Sequence, residues 1–338
     1  MAPAGRLPRE AFRLVAWFVG LLCLAVVLPS VQIATEVVIL ALGAISCQVL
    51  LAYGPLLSFA QGAFFGIGAY GGGLYVIATQ GSPWSDAVVA AVLGAALAAL
   101  VAFAVGAVAL RRVAAIGVQG AGGVTFLMLT FALAQVVHFA ATIFPRVTGG
   151  ENGLLDIPRA HGLLILGLQS PFAFHAFCAA ILAAVIGGIG VASRSVLGQA
   201  CKAIESNERR AAAVGYNVYA LRLALFSGTG GIAGLGGCLY GQFLGLVPLS
   251  VVDLSQGGDF VIAAVLGGAA SPVGALLGTI CLVLGADLLS QTWPHWKLPL
   301  GGAIILAVLA GRGGLLSIAE MRPRWPRVRR ALAVRRDP

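Results

Sequence analysis

The chain has 338 residues, of which 59% are hydrophobic and only 10% charged, with 47 glycines and a formal net charge of +9. A soluble domain carries about 25% charged residues, so this composition excludes a largely water-facing surface. Much of the basic excess lies in terminal arginines, "GRLPREAFR" and "MRPRWPRVRRALAVRRDP". Beside apolar segments these read as cytoplasmic anchors against membrane lipid, not as a nucleic-acid site.

About 20 apolar residues of helix cross a bilayer core. Apolar runs of that kind predict spans near 14–33, 35–53, 57–78, 87–110, 123–143, 172–192, 220–246, 257–270, 273–290 and 299–311. The first, Leu14 to Ile33, exceeds a signal-peptide core and has no small-x-small cleavage site, so it reads as a retained span. The fold class is all-α: a polytopic transmembrane helix bundle of about eight to ten spans, some broken or re-entrant. Residues 1–13 form a cytoplasmic N-terminal segment, 14–311 the transmembrane domain and 312–338 a cytoplasmic arginine-rich tail.

Basic residues orient the chain. Arg6, Arg9 and Arg13 place the N-terminus inside, Arg111 and Arg112 the loop after the fourth span. Arg194, Lys202, Arg209, Arg210 and Arg222 do the same for 193–219 and its flank, and the terminal arginines for the tail. An even number of crossings must then separate Arg222 from Arg312. A break near Ser271–Pro272, beside Gly267, Gly268 and Gly274, supplies the needed pair of short elements. An internal match supports this reading. "QGAFFGIGA" (61–69) and "QGGDFVIAA" (256–264) share Gln, Gly, Phe, Ile and Ala in register. Entering from opposite sides, they have the pattern of an inverted repeat, with chance similarity in Gly/Ala-rich sequence as the rival.

The run "CKAIESNERRAAAVGYN" (201–217) is the exception to all this apolarity. Each charge at a span's centre costs roughly 2.5–3.5 kcal/mol, so its five charges together cost about 12 kcal/mol or more. The run is therefore an aqueous element. Glu205 stands four before Arg209, Asn207 suits the cap of a turn starting at Glu208, and Gly215 suits a helix end. It is either a solvated loop helix or a docking helix for a cytoplasmic partner.

Other chemistry is sparse. A phosphate-cradling GxxxxGK[ST] loop needs a lysine before Ser or Thr. Lys202 precedes Ala203 and Lys297 precedes Leu298, so the chain does not bind ATP through that motif, and an ATP-driven transporter would need a separate ATPase subunit. Six scattered cysteines give no metal or disulfide spacing, and no nucleophile–base set is visible. The expectation is a non-enzyme with no cofactor and no metal of its own.

Four ordered motifs resemble the permease subunits of Liv-type branched-chain amino acid ABC importers, close to the M-type. They are "SFAQGAFFGIGAY" (58–70), "TFLMLTFALAQ" (125–135) with "TGGENGLLDIP" (148–158), "GQACKAIESNERRAAAVGYNV" (198–218) and "GGAASPVGA" (267–275). Two features depart from the family pattern: Arg209–Arg210 after Glu208, and a long "VAAIGVQGAGG" (113–123) before the fifth span. The resemblance implies a bacterial inner-membrane importer subunit working with a second homologous permease, two cytoplasmic ATP-binding subunits and an external substrate-binding protein. It makes 198–218 the ATPase-coupling loop, with Ala203, Ile204, Glu205, Asn207, Glu208, Arg209 and Gly215 as docking residues. Substrate would be leucine, isoleucine, valine or a related small solute such as urea, an amide or an aromatic acid.

Polar and aromatic residues within spans define a candidate substrate path: Gln61, Phe65, Tyr70, Thr130, Gln135 and His138. Small residues define candidate breaks and packing faces: Gly62, Gly66, Gly267, Gly268, Ser271 and Pro272. The alternative function is a secondary transporter driven by a proton or sodium gradient. It requires mid-membrane acids, and Asp287, the nearest, stands at a span end.

Overall fold

Ser30 begins the second helix by accepting the Ile33 amide, and Ser170 and Asn217 cap the starts of two others in the same way. In the computed structural model, which describes residues 7–79, 86–116, 122–158, 170–268, 271–292, 295 and 297–310, helices dominate. They are α1 (Leu7–Val27), α2 (Val31–Tyr53), α3 (Ala60–Ala78), α4 (Ala87–Ile116), α5 (Gly122–Ile143) and the single turn α6 (Pro145–Thr148). Then come α7 (Pro171–Ala192), α8 (Val196–Ser206), α9 (Glu208–Ala213), α10 (Val218–Leu244), α11 (Leu254–Gly267), α12 (Pro272–Thr292) and α13 (Lys297–Ala310). Every expected span has its helix. The terminal segment 1–6 and the tail 312–338 lie outside the described residues.

Among the described residues, six helices are long and apolar enough to cross a membrane: α2, α4, α5, α7, α10 and α12. The chain is a multi-pass membrane protein. α2 is apolar on all sides and buried over most of its length, as a central helix must be, whereas α5 exposes most of its surface. α10 packs against α2, α3 and α4 and forms the core with them. Phe226 of α10 meets Phe64 of α3 and Phe126 of α5 edge-on, each at 5.4 Å between ring centres. Such pairs add about 0.5–1.5 kcal/mol each beyond burial.

The bundle has two distinguishable ends. α2 and α10 run antiparallel, since Gly54 lies against Leu225 while Gly236 lies against Leu42. The ends of α2, α4 and α7 and the start of α10 gather Tyr53, Arg111, Arg194 and Arg222 with α8 and α9; this is the charged end. At the other end Leu154 pairs with Val247 through two backbone hydrogen bonds, so the "TGGENG" turn straps onto the end of α10.

α3 and α11 each start inside the bundle instead of at one of its ends. After α2 the chain turns back inward, bringing the Ser58 carbonyl beside the Cys47 thiol, so α3 starts inside the bundle. After α10 the chain also dips inward, and Val252 reaches Gly66 in the middle of α3. The first turns of α3 and α11 then meet: a methyl on Gly62 would sit 2.6 Å from the Gly257 amide nitrogen. From that contact α3 runs to the strap end, where Gly73 touches Leu154 and Ile157. α11 runs to the charged end, where Pro272 shares a cleft with Tyr53 and Arg194.

Gly62 and Gly257 are corresponding positions in the two matched nonapeptides. So are Phe65 and Phe260, whose rings lie 5.1 Å apart. Like residues therefore touch where two helices that diverge to opposite ends begin.

Candidate functional site

The charged end is built around α8 and α9. Ser195 starts α8 by accepting the Gly198 amide at 3.3 Å. The helix buries Ala200, Cys201 and Ile204 against the bundle and keeps Ala203 half-buried, while Lys202 places its ammonium 5.9 Å from the centre of the Tyr53 ring. Burial also pushes the Cys201 thiol pKa up. Asn207 both ends α8 and starts α9, its side-chain oxygen accepting the Arg210 amide at 3.0 Å. That break takes Glu205 and Arg209 off a common helix, so their four-residue spacing no longer runs along one helical face.

α9 buries only Ala211 and leaves Glu208, Arg209 and Arg210 exposed, along with Glu205 and Asn207 before them. It closes on Gly215, whose φ of +99° is a left-handed conformation that favours glycine. There the Tyr216 amide donates to the Ala211 carbonyl at 3.2 Å and the Gly215 amide to Ala212 at 3.0 Å. Glu208 is held from behind: both its oxygens accept from the Arg222 guanidinium, at 2.9 and 2.8 Å. Nearby, Arg111 lies 5.7 Å from the centre of the Tyr219 ring, and the Tyr219 hydroxyl donates to the Ala107 carbonyl.

Beside α8 a cleft of about 440 Å³ opens between α2, α7 and α10. It is lined by Tyr53, Ile189, Leu197, Cys201 and Leu225 and reaches Thr229 and Ile232. Thr229 is buried and accepts a hydrogen bond from Gln61 Nε2 at 3.2 Å, while the Ser46 hydroxyl lies 3.2 Å from Gln61 Oε1. A polar junction of α2, α3 and α10 therefore sits just behind the α3–α11 meeting point.

The candidate path residues are not gathered in one open channel. Gln61 and Phe65 are fully buried, Gln61 in that junction and Phe65 against Phe260 and Tyr240. Thr130 is buried too, and it accepts the Phe59 amide ahead of α3 while donating to the Leu127 carbonyl. Tyr70 is buried and its hydroxyl finds no partner among the described residues. Gln135 and His138 are half-buried on α5. The His138 ring meets Phe139 edge-on, and its Nδ1 has no hydrogen-bond partner among the described residues.

The small residues pack closely. Gly66 faces Val252, Gly68 the Gly234 backbone and Gly72 the Cys238 thiol. Gly267 lies against the Gly274 carbonyl, Gly268 has a φ of +110°, and Ser271 accepts the Val273 amide at the Pro272 start of α12.

Three features escaped the sequence reading. Arg222 grips Glu208 across 14 positions, Thr229 meets Gln61 across 168, and buried His175 lies between the Leu21 carbonyl and the Thr35 hydroxyl. An arginine one turn into an otherwise uncharged helix marked Arg222 itself but not its partner, and the other two pairings had no local signal.

Residues 30–309 match the family described as branched-chain amino acid transport system / permease component. The high-affinity branched-chain amino acid transport system permease protein LivM of Escherichia coli (strain K12) is 24% identical over 335 residues, covering 90% of this chain and 75% of that protein. The LivM protein of Salmonella typhimurium (strain LT2) matches with the same identity and coverage. No solved structure matches the chain. With a family match spanning most of its length, a multi-pass helical bundle and a charged helix pair at one end, the chain belongs to the branched-chain amino acid transport system permease family, as a membrane permease subunit of an ABC importer.

Proposed function

We propose that this permease carries leucine, isoleucine and valine inward, with ATP hydrolysed by two cytoplasmic subunits that dock on α8 and α9. A second homologous permease and an external binding protein complete the assembly. The observation that carries the reading is the charged helix pair: capped at both ends, seated on the bundle by a few buried side chains, and otherwise exposed. The substrate class rests on the relatives' names. The charged end faces the cytoplasm because Arg111, Arg194, Lys202, Arg209, Arg210 and Arg222 collect there, whereas the strap carries Arg146 with Glu151 and Asp156. The strap then faces outward, where a binding protein delivers substrate.

Labelled-leucine uptake into proteoliposomes holding the full complex tests this. Uptake should require ATP and the binding protein, and leucine, isoleucine and valine should compete with one another. Uptake driven by a proton or sodium gradient through this chain alone would contradict the importer reading, and uptake of urea without leucine would contradict the substrate.

A further inference from the structure

We infer that Arg222 is the strut through which α9 moves the centre of the permease. The inference rests on the importer reading and names the residue that links the docking helices to the transport machinery. Glu208 is the acid that the family resemblance places at the ATPase surface, yet both of its oxygens are engaged by Arg222 of this chain. An Arg–carboxylate fork of this kind fixes direction as well as distance, unlike a single-point contact. Arg222 stands at the start of α10, its Nε is buried with no hydrogen-bond partner among the described residues, and Glu208 is its ion-pair partner there.

The helix spacing carries the strut inward. Arg222, Phe226 and Thr229 stand at positions i, i+4 and i+7, along one face of α10. Phe226 packs edge-on against Phe64 of α3 and Phe126 of α5. Thr229 receives the hydrogen bond of Gln61, whose neighbour Gly62 touches Gly257 where α3 and α11 meet. A displacement of α9 therefore reaches the α3–α11 contact through one rigid helix and three packed side chains. Among the described residues α8 has no such fork, and its Lys202 overlies the Tyr53 ring.

The test uses the full complex in proteoliposomes and reads leucine molecules moved per ATP hydrolysed, alongside recovery of the ATP-binding subunit with the permease. Arg222→Gln should keep the subunit bound and lower leucine per ATP at least tenfold. Glu208→Arg should do the same, and the exchanged pair Glu208→Arg/Arg222→Glu should recover at least half of the wild-type ratio. Arg222→Lys, which keeps the charge without the fork, should fall between Arg222→Gln and wild type. Wild-type coupling in Arg222→Gln would overturn the strut while leaving the importer reading intact. So would an exchanged pair that assembles but stays uncoupled, because Glu208 would then act on the motor directly. A wild-type permease that binds no ATP-binding subunit would overturn both.

Discussion

Gly62 sits where two helix starts touch, and the atoms facing it are backbone, which cannot rotate away. Gly62→Val should cost about 1–3 kcal/mol, the usual range for forcing bulk into a filled core. A fluorescence melt in detergent should show a clear fall in melting temperature. Gly188→Ala is the control, since nothing lies within 4 Å of the added carbon and alanine is the better helix former. Equal melting of both variants would contradict the packing account. Asn207 is a different kind of residue, a cap at the surface. Asn207→Ala should cost about 1 kcal/mol and speed amide exchange across 208–213, with Asn207→Asp close to wild type. Cys201 offers a chemical check at the same end. Its raised thiol pKa leaves little thiolate at neutral pH, so alkylation should be slow there and accelerate as pH rises. Asn207 was legible in the sequence because capping is a local contact between near neighbours. The grip of Arg222 on Glu208 was not, because it depends on how α9 folds back onto α10.

Among the elements, the α11–α12 hairpin shows how far patterning reaches. The break near Ser271–Pro272 follows from proline and glycine chemistry and from the parity of basic loops, and the structure ends α11 at Gly267 and begins α12 at Pro272. The closeness of the pair follows from small residues in register: Gly267 faces Gly274, and Gly278 faces the Ala263 carbonyl. Gly274→Leu should separate these helices at a cost of about 1–3 kcal/mol. Its melting temperature should fall below that of Gly285→Leu, where the nearest facing atom is the tip of Leu300. The reverse order would contradict the hairpin. Expected boundaries miss most at α1 (14–33 against Leu7–Val27) and at the end of α4 (110 against Ile116), and they also miss where the chain re-enters the bundle: hydropathy marks 57–78, but α3 starts at Ala60. The preceding residues, too, are apolar enough to look like helix while turning inward as loop. The same physics hides the path. Buried Gln61 and Thr130 look like channel residues in a hydropathy scan, yet the structure shows them satisfied by Ser46, Thr229 and the Phe59 amide.

At the scale of the molecule, α3 and α11 meet at Gly62–Gly257 and Phe65–Phe260 and diverge to opposite ends, and among the described residues the charged helices α8 and α9 sit at one end. A cysteine at Ala212 should react with an impermeant maleimide only from the cytoplasmic side, and one at Glu151 only from outside. Both reacting from one side would contradict the orientation. The central claim, that α9 is where the motor docks, is tested most directly by a photo-crosslinking residue at Ala212 in the membrane-embedded complex. The account predicts an adduct with the ATP-binding subunit and none when the same group is placed at Glu151. An adduct at Glu151, or no adduct at Ala212 in a complex that still transports leucine, would contradict it.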